Sequence, residues 1–272
     1  MDRRRLPFDG TTALDSLRGQ VDAAQFVPPN HASICIPVAP LNATREGGLS
    51  KDLIYGERVT VISRGGTVSF VQSQRDQYVG YTLTKALGPL TDPTHRITAR
   101  ASHAYAAPDF KSDVQVALSF GSLVVSTATE GRFLKTELGF VPAQHLSPID
   151  ATHDPVTLAE QFLGTPYLWG GNSAWGIDCS GLLQSVMSAT QHDCPRDSDM
   201  LSDEFGTFLI SSAHRQRGDL VFWKGHVGIL RDAHTLLHAN AHHMSVASEP
   251  LDQAIARIAE QEFGEVTGFK RP

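Results

Sequence analysis

Residues 164–183 read GTPYLWGGNSAWGIDCSGLL, and the interpretation of the whole chain starts from this segment. Its glycine and aromatic residues predict a loop that ends at Asp178. The apolar residues that follow from Leu182 recur as on one face of a helix. Asp178 is a suitable N-cap for that helix, which places Cys179 in the first helical turn.

Two interpretations of Cys179 follow from this position. The partial positive charge of a helix N-terminus lowers the pKa of a thiol and favours the nucleophilic thiolate. A single cysteine can equally be a small buried hydrophobic residue. The choice between them depends on whether another part of the chain supplies a general base.

The composition excludes several classes of protein. The chain has 272 residues, of which 41% are hydrophobic and 19% charged, and its net charge of −6 gives no footprint for nucleic acid. No apolar run is long enough to span a membrane, and no secretory signal follows the N-terminal arginines. With only three cysteines, we expect a cytoplasmic protein with no nucleic-acid or membrane partner. The sequence carries no signal for the oligomeric state.

The first 150 residues predict β structure preceded by a short arm. Leu14, Leu17, Val21 and Ala24 have helical spacing and predict a short helix within residues 1–30. From there, short β-type runs separated by glycine, proline and polar clusters predict small barrels. These runs are residues 33–36, 58–62, 78–81, 96–99, 123–125 and 132–134.

An internal repeat divides this region. Residues 80–89 and 139–148 share the order glycine, aromatic residue, five residues, leucine, any residue, proline. A repeat of this kind predicts two copies of one structural unit. We therefore expect one barrel at residues 31–90 and a second at 91–150.

Residues 151–272 show a different pattern, in which helices come first and strands follow. A helix-first order followed by a strand meander predicts an α+β domain. The predicted helices are 157–163, one from Cys179 onward, and 252–258. The predicted strands are 220–223, 225–230, 236–240 and one that begins at 268.

His226 and His238 are the candidate general base and its orienting partner. If the strands around residues 231–234 form a simple hairpin, pairing Ile229 with Thr235 sets His226 directly opposite His238. Residues opposite each other share one face of an antiparallel pair. His226 would then donate a hydrogen bond to His238, which leaves its other ring nitrogen for the thiol. A slip of one residue would put the two rings on opposite faces.

Four motifs now occur in a characteristic order: DCSG at 178–181, RGDLVF at 217–222, HVGI at 226–229 and LHA at 237–239. Together they resemble the NlpC/P60 family of papain-like cysteine peptidases, and the two repeats resemble bacterial SH3-like domains. The resemblance implies a multidomain chain with two small all-β SH3-like barrels followed by an α+β papain-like catalytic domain. It also implies Cys179 as nucleophile, His226 as general base and His238 as the third member.

The same resemblance implies a reaction and a substrate. The enzymes that combine these domains are γ-D-glutamyl-L-diamino-acid peptidases, which cut murein peptides that carry a free N-terminal L-alanine. Hydrolysis would pass through an acyl-thioester, with the N–H of Cys179 and the side chain of Tyr167 as oxyanion donors. No cofactor or metal is expected. The implied substrate contacts are Asp178 and Ser180 at the peptide amine, Glu46 and Tyr78 in the first barrel, Trp169 in the cleft, and Ser198 at the D-glutamate α-carboxylate.

Several alternatives remain open from the sequence. Tyr81 competes with Tyr78, since alternation along a strand lets only one of them face the cleft. The same catalytic core also serves amidases and acyltransferases, and the chain could be an idle module that binds cell wall. A zinc site is a further alternative, because four histidines cluster at His234, His238, His242 and His243.

Overall fold

The computed structural model of the chain describes residues 1–210 and 215–272. They form two compact units, Met1–Ile149 and Asp150–Pro272. The division lies one residue before the predicted start of the catalytic domain at 151.

The helix predicted within residues 1–30 is wrong. The segment contains strands β1 (Thr12–Leu14) and β2 (Gln25–Val27), which pair in parallel, and two 3-10 turns, at Arg3–Arg5 and Asp15–Leu17. Gly19 adopts a φ of 76°, which no helical residue has. Leu14 is buried for another reason: it packs in one apolar cluster with Ile62 and Phe70 of the first barrel.

Seven strands form the first barrel in a single sheet. The strands are β3 (Asn30–Ile34), β4 (Val38–Thr44), β5 (Gly47–Ile54), β6 (Arg58–Arg64), β7 (Val68–Ser73), β8 (Val79–Leu83) and β9 (Leu87–Gly88). Their order in the sheet is β5-β4-β8-β7-β6-β3-β9, and a 3-10 turn at Thr84–Ala86 lies between β8 and β9.

Residues 95–148 repeat this strand order. The strands are β10 (His95–Ile97), β11 (Ala101–Tyr105), β12 (Val114–Ser119), β13 (Leu123–Val124), β14 (Ser126–Glu130), β15 (Phe133–Thr136), β16 (Gly139–Pro142) and β17 (Leu146–Pro148). They form two sheets, of order β12-β11-β16-β15-β14 and β13-β10-β17. The first sheet corresponds to β5-β4-β8-β7-β6 of the first barrel and the second to β6-β3-β9, with β13 and β14 together as the counterpart of β6.

The glycines of the repeated motif have the same cause in both copies. A Cβ on Gly80 would lie 2.6 Å from the carbonyl oxygen of Asn42, and one on Gly139 would lie 2.4 Å from that of Tyr105. Asn42 and Tyr105 pair with the aromatic residues that follow these two glycines. The close approach of a neighbouring strand therefore explains why the motif begins with glycine.

The first barrel also buries a network of charges. Lys51 is fully buried, with its Nζ 2.8 Å from Oδ2 of Asp76 and 3.2 Å from Oε1 of Glu57. A guanidinium nitrogen of Arg75 lies 3.4 Å from the second oxygen of Glu57. Asp76 in turn accepts a hydrogen bond of 3.1 Å from the backbone N–H of Tyr78. The network thus fixes the turn that carries Tyr78.

The second unit places helices on an antiparallel sheet of order β20-β25-β21-β22-β23-β24. Helix α2 is buried along nearly its whole length and packs against α1, β22 and β23. Among the described residues, no helix is long and apolar enough to cross a membrane. The helices are α1 (Pro155–Glu160), α2 (Cys179–Ser188), α3 (Ser198–Glu204) and α4 (Leu251–Gln261). The strands are β18 (Asn172–Ser173), β19 (Gly176–Ile177), β20 (Thr207–Phe208), β21 (Leu220–Trp223), β22 (His226–Asp232), β23 (Thr235–Asn240), β24 (Ser245–Pro250) and β25 (Gly268–Arg271).

The Lys51→Met substitution should destabilise the first unit. It leaves Glu57 and Asp76 buried without their shared cation, and removing one partner of a buried pair costs about 3–5 kcal/mol. Urea unfolding followed by far-UV circular dichroism measures the loss. All three tryptophans lie at 169, 175 and 223, so tryptophan fluorescence reports the second unit separately.

The exposed Lys85 provides the matched control. Lys85→Met makes the same chemical change at the surface and should leave the dichroism transition within about 0.5 kcal/mol of the wild type. Equal transitions for the two variants would contradict the role assigned to the Lys51 network.

Candidate active site

Cys179 is the first residue of α2, as the sequence predicts, and Asp178 is its N-cap. The Asp178 Oδ1 atom accepts a hydrogen bond of 2.6 Å from the backbone N–H of Gly181. The Cys179 side chain is buried, and the backbone N–H groups of Ser180 and Val227 both act on its sulfur. Because Val227 follows His226 in β22, the thiol lies beside the start of the strand that carries the predicted base.

A helix N-terminus by itself lowers the pKa of a thiol, but the other surroundings of Cys179 act in the opposite direction. Burial, followed by the charge of Asp178, raises the pKa of the Cys179 thiol to about 12. Three groups lower this pKa, but their effect is smaller than that of burial and Asp178: the N–H groups of Val227 and Ser180 and the charge of Arg196. Desolvation outweighs the helix end, and the resting thiol is neutral.

The hairpin between β22 and β23 has a different register from the predicted one. Ile229 pairs with Leu237 rather than Thr235, and Arg231 is the extra residue of a bulge. Asp232 accepts a hydrogen bond of 2.8 Å from the N–H of His234 and closes a turn tighter than expected. The register shift is two residues, and a shift of two keeps all side chains on their predicted faces.

His226 and His238 therefore still meet, although they are not directly opposite each other. The Nε2 atom of His226 lies 2.8 Å from Nδ1 of His238. Continuing the observed register places Gly228 opposite His238. A Cβ on Gly228 would lie 3.1 Å from the Cβ of His238 and 2.5 Å from Cδ1 of Leu236. The glycine leaves the space in which the His238 ring leans toward His226.

Aromatic rings enclose the predicted base. The Phe263 ring is stacked on His226 with centroids 5.1 Å apart and an angle of 5°, and the Trp223 ring lies at 5.5 Å. Burial is the main cause that lowers the pKa of His226 well below its usual value. The imidazole is thus neutral at pH 7 and can accept a proton. A neutral thiol beside a neutral, hydrogen-bonded imidazole is suited to nucleophilic acyl transfer.

Tyr167 and Trp169 lie on the loop before α2 and differ in their surroundings. Tyr167 is half-buried, and burial, followed by the charge of Asp178, raises the pKa of its phenol. Its hydroxyl stays protonated, as an oxyanion donor requires. The Trp169 side chain is 73% exposed, so its predicted place in a cleft stays a prediction.

Asp178 has partners that the sequence analysis does not foresee. A buried guanidinium, that of Arg196, lies with one nitrogen 2.7 Å from Oδ2 and another 3.0 Å from Oδ1 of Asp178. The backbone N–H of Gly170 and the hydroxyl of Ser180 also donate to this carboxylate. Five donors, with Gly181, occupy the acceptor positions of Asp178. This pairing argues against the predicted contact between Asp178 and a substrate ammonium.

Ser180 belongs to the same cluster. It is buried, and its hydroxyl accepts a hydrogen bond of 2.8 Å from Arg196 while it donates to Asp178. Ser198, by contrast, is half-buried as the first residue of α3, with Asp197 at the N-cap. Their predicted contacts with substrate stay predictions.

The two barrel residues of the predicted site lie in the first unit. Glu46 is exposed in the two-residue turn between β4 and β5. Tyr78 precedes β8 and lines a cavity of about 350 Å³. Tyr81 lines the same cavity, although Tyr78 lies in the turn before the strand begins at Val79. Which of the two tyrosines faces the cleft stays a prediction.

The sequence analysis missed three charged residues around the candidate site. Arg196 binds Asp178, Glu249 binds His238, and Arg257 binds Glu249. Each is a common surface residue type with no local motif of its own. The Glu249 position follows only from the pairing of His238 with Ala247 across β23 and β24, which places Glu249 on the same face.

A group of possible metal ligands includes two of the four predicted histidines. His238, His243 and Glu249 each bring one ligand atom within 4.8 Å of the others. The Oε1 atom of Glu249, however, is 2.7 Å from a guanidinium nitrogen of Arg257 and 2.8 Å from Nε2 of His238. A cation already occupies the carboxylate, which opposes binding of a divalent ion. The arrangement favours a hydrogen-bonded chain over a zinc site.

Comparison with known proteins assigns both domain types. Residues 164–259 match the NlpC/P60 family, and residues 41–87 match the bacterial dipeptidyl-peptidase SH3 domain. The SH3 match covers only the first barrel, so the family of the second copy stays a prediction that rests on its strand order.

Three of the similar proteins are named dipeptidyl-peptidases. A γ-D-glutamyl-L-lysine dipeptidyl-peptidase from Bacillus subtilis is 29% identical over 219 residues, which cover 70% of this chain and 72% of that protein. A protein of the same name from Bacillus cereus is 31% identical over 43% of this chain and 37% of its own length. Dipeptidyl-peptidase 6 from Lysinibacillus sphaericus is 32% identical over 43% of this chain and 46% of its own length. The match thus spans less than half the length of two of these relatives.

A solved structure with the same fold supports the architecture. An NlpC/P60 family protein from Bacillus cereus superposes with a TM-score of 0.75 over 89% of this chain and 99% of that chain. Sequence identity over this superposition is 19%, so it supports the fold alone.

Alkylation of Cys179 should show a neutral thiol at rest. Because burial raises its pKa to about 12, the rate with iodoacetamide should keep rising between pH 7 and pH 10 without a plateau. Peptide mass spectrometry resolves Cys179 from the exposed Cys35, which serves as the internal reference. A rate that is already constant from pH 6 upward would show a resting thiolate and contradict this assignment.

Proposed function

We propose that this chain, whose residues 164–259 belong to the NlpC/P60 family, is a cysteine peptidase that hydrolyses peptides derived from peptidoglycan. The observation that carries the proposal is the buried arrangement in which the Cys179 thiol lies beside the start of β22 and His226 is hydrogen-bonded to His238. The names of the related dipeptidyl-peptidases support the class of substrate.

The geometry supports a mechanism in which proton transfer accompanies attack. His226, held neutral by burial, takes the proton of Cys179 as the sulfur attacks the carbonyl carbon. The N–H of Cys179 and the protonated hydroxyl of Tyr167 stabilise the oxyanion. The intermediate then expels the amine, to which His226 returns the proton. Water, with His226 again as base, finally hydrolyses the acyl-thioester.

The finer proposal concerns the bond that is cut. We assign the reaction to the bond between γ-D-glutamate and an L-diamino acid, in a peptide that begins with a free L-alanine. The γ-D-glutamyl-L-lysine specificity in the names of two relatives supports the bond. Glu46 and Tyr78 stay predicted contacts of the free ammonium, as does Asp178, whose carboxylate Arg196 also binds. Action on soluble peptides in the cytoplasm completes the proposal.

Hydrolysis of L-Ala-γ-D-Glu-diaminopimelate tests the reaction and the nucleophile together. The wild type should release the dipeptide L-Ala-D-Glu, and Cys179→Ala should lower kcat/KM by at least about 10⁴-fold, because it removes the thiol that forms the acyl-enzyme. Cys35→Ala is the matched control and should retain full activity. Retained hydrolysis in Cys179→Ala would refute the assignment of the nucleophile, and loss of wild-type activity with a chelator would restore the metal alternative.

Acetylation of the N-terminal alanine tests recognition of the ammonium. Removing a charged hydrogen bond of about 1.5–3 kcal/mol should lower kcat/KM of the wild type roughly 10- to 150-fold. Glu46→Gln should discriminate far less between the free and acetylated peptides, whereas the exposed control Glu130→Gln should discriminate like the wild type. Equal rates on the two peptides in the wild type would rule out a requirement for the free amine.

A further inference from the structure

Glu249 of β24 reaches the third member of the predicted triad. Its Oε1 atom lies 2.8 Å from Nε2 of His238, on the side of the ring away from His226. The His238 side chain is fully buried, and that of Glu249 is 15% exposed. The hydrogen bond is therefore shielded from competing water.

Arg257 of α4 keeps Glu249 ionised. One guanidinium nitrogen of Arg257 lies 2.7 Å from the same Oε1 atom, and another contacts Glu262. Although burial acts against ionisation, hydrogen bonds from His238 and Arg257 and the charge of Arg257 lower the pKa of Glu249 to about 2. At neutral pH the Glu249 carboxylate can only accept hydrogen bonds.

The protons along this chain of groups can then be assigned. Because Glu249 only accepts, His238 must donate from Nε2. Burial lowers the pKa of His238, and a neutral imidazole has a single N–H, so its Nδ1 is an acceptor. His226 must therefore donate from Nε2 to Nδ1 of His238. As His226 is also neutral, its Nδ1 is left as the basic nitrogen.

We propose that Glu249 is a positioning residue: by fixing the proton of His238 on Nε2, it fixes the tautomer of His226 and keeps Nδ1 of His226 as the proton acceptor for Cys179. This inference rests on the proposed function for its catalytic meaning, while the tautomers themselves are properties of the free protein. The orienting chain extends one carboxylate beyond the three residues predicted from the sequence.

The charges around the two histidines determine what a substitution changes. His238 faces Glu249, Arg257 and His243, and His226 faces His238, Arg257 and Glu249. Glu249 is the group in each set that raises the pKa of the histidine by its charge. Without this carboxylate, both imidazoles become weaker bases and the proton of His238 is no longer confined to Nε2.

Kinetics of Glu249→Gln give the first test. The substitution should lower kcat at least about 30-fold, which is less than the roughly 10⁴-fold loss when the orienting carboxylate of a serine-protease triad is replaced by an amide. KM should change by less than about 2-fold, and the acid limb of the pH profile should move to lower pH because the base is weaker. Glu262→Gln is the control, since it removes the same charge beside Arg257 without a contact to His238.

Nuclear magnetic resonance of ¹⁵N-histidine-labelled protein gives the second test, with signals assigned by the His226→Gln and His238→Gln variants. Both rings should be Nε2–H tautomers in the wild type and in Glu262→Gln, and Glu249→Gln should populate Nδ1–H forms. The wild-type measurement needs no substrate. If the wild type hydrolyses no murein peptide, the proposed function fails while the tautomers still decide this inference. An Nδ1–H tautomer of His226 in the wild type, or a Glu249→Gln variant with unchanged kcat, would overturn it.

Discussion

The buried carboxylate of Asp178 holds together the segments of the second unit that surround the thiol. It accepts hydrogen bonds from the backbone N–H groups of Gly170 and Gly181, so that it joins the aromatic loop to the first turn of α2. Arg196, which is itself almost fully buried, neutralises its charge from the segment before α3. Three separate pieces of chain thus meet at one ion pair next to the thiol. A buried pair of this kind offers little net stability over apolar packing, but it is costly to break.

The same ion pair influences the chemistry of the site. The charge of Asp178 acts against formation of a thiolate at Cys179, and Arg196 acts in favour of it. Because the two groups are paired, their effects on the thiol largely oppose each other, and burial decides the outcome. The stacked Phe263 ring and the tilted Trp223 ring likewise shield the His226 imidazole from water. The site therefore combines a neutral nucleophile with a neutral base, and charge develops only as the proton moves.

How much the sequence predicts can be judged from particular residues. The start of α2 is foreseeable because an N-cap, a helix and a thiol are local signals. The pairing of His226 with His238 also survives, although the bulge at Arg231 shifts the register by two residues. Side chains alternate between the two faces of a strand, so a register shift of two residues leaves each side chain on its predicted face. Glu249 and Arg257 are brought in by tertiary structure, and a single sequence has no periodic signal for such contacts.

The lack of a side chain on glycine explains two outcomes of the sequence analysis. It accounts for the helix that does not form within residues 1–30 and for the repeat that begins at Gly80 and Gly139. Gly19 breaks a helical pattern because its backbone adopts a positive φ. Gly80 and Gly139 preserve a strand pattern because another backbone approaches where a side chain would be. Gly228 has the corresponding function in the catalytic unit, where the missing side chain gives His238 room to reach His226. In both units, the motif therefore depends on a glycine that leaves space for its neighbours as much as on the residues whose side chains make the contacts.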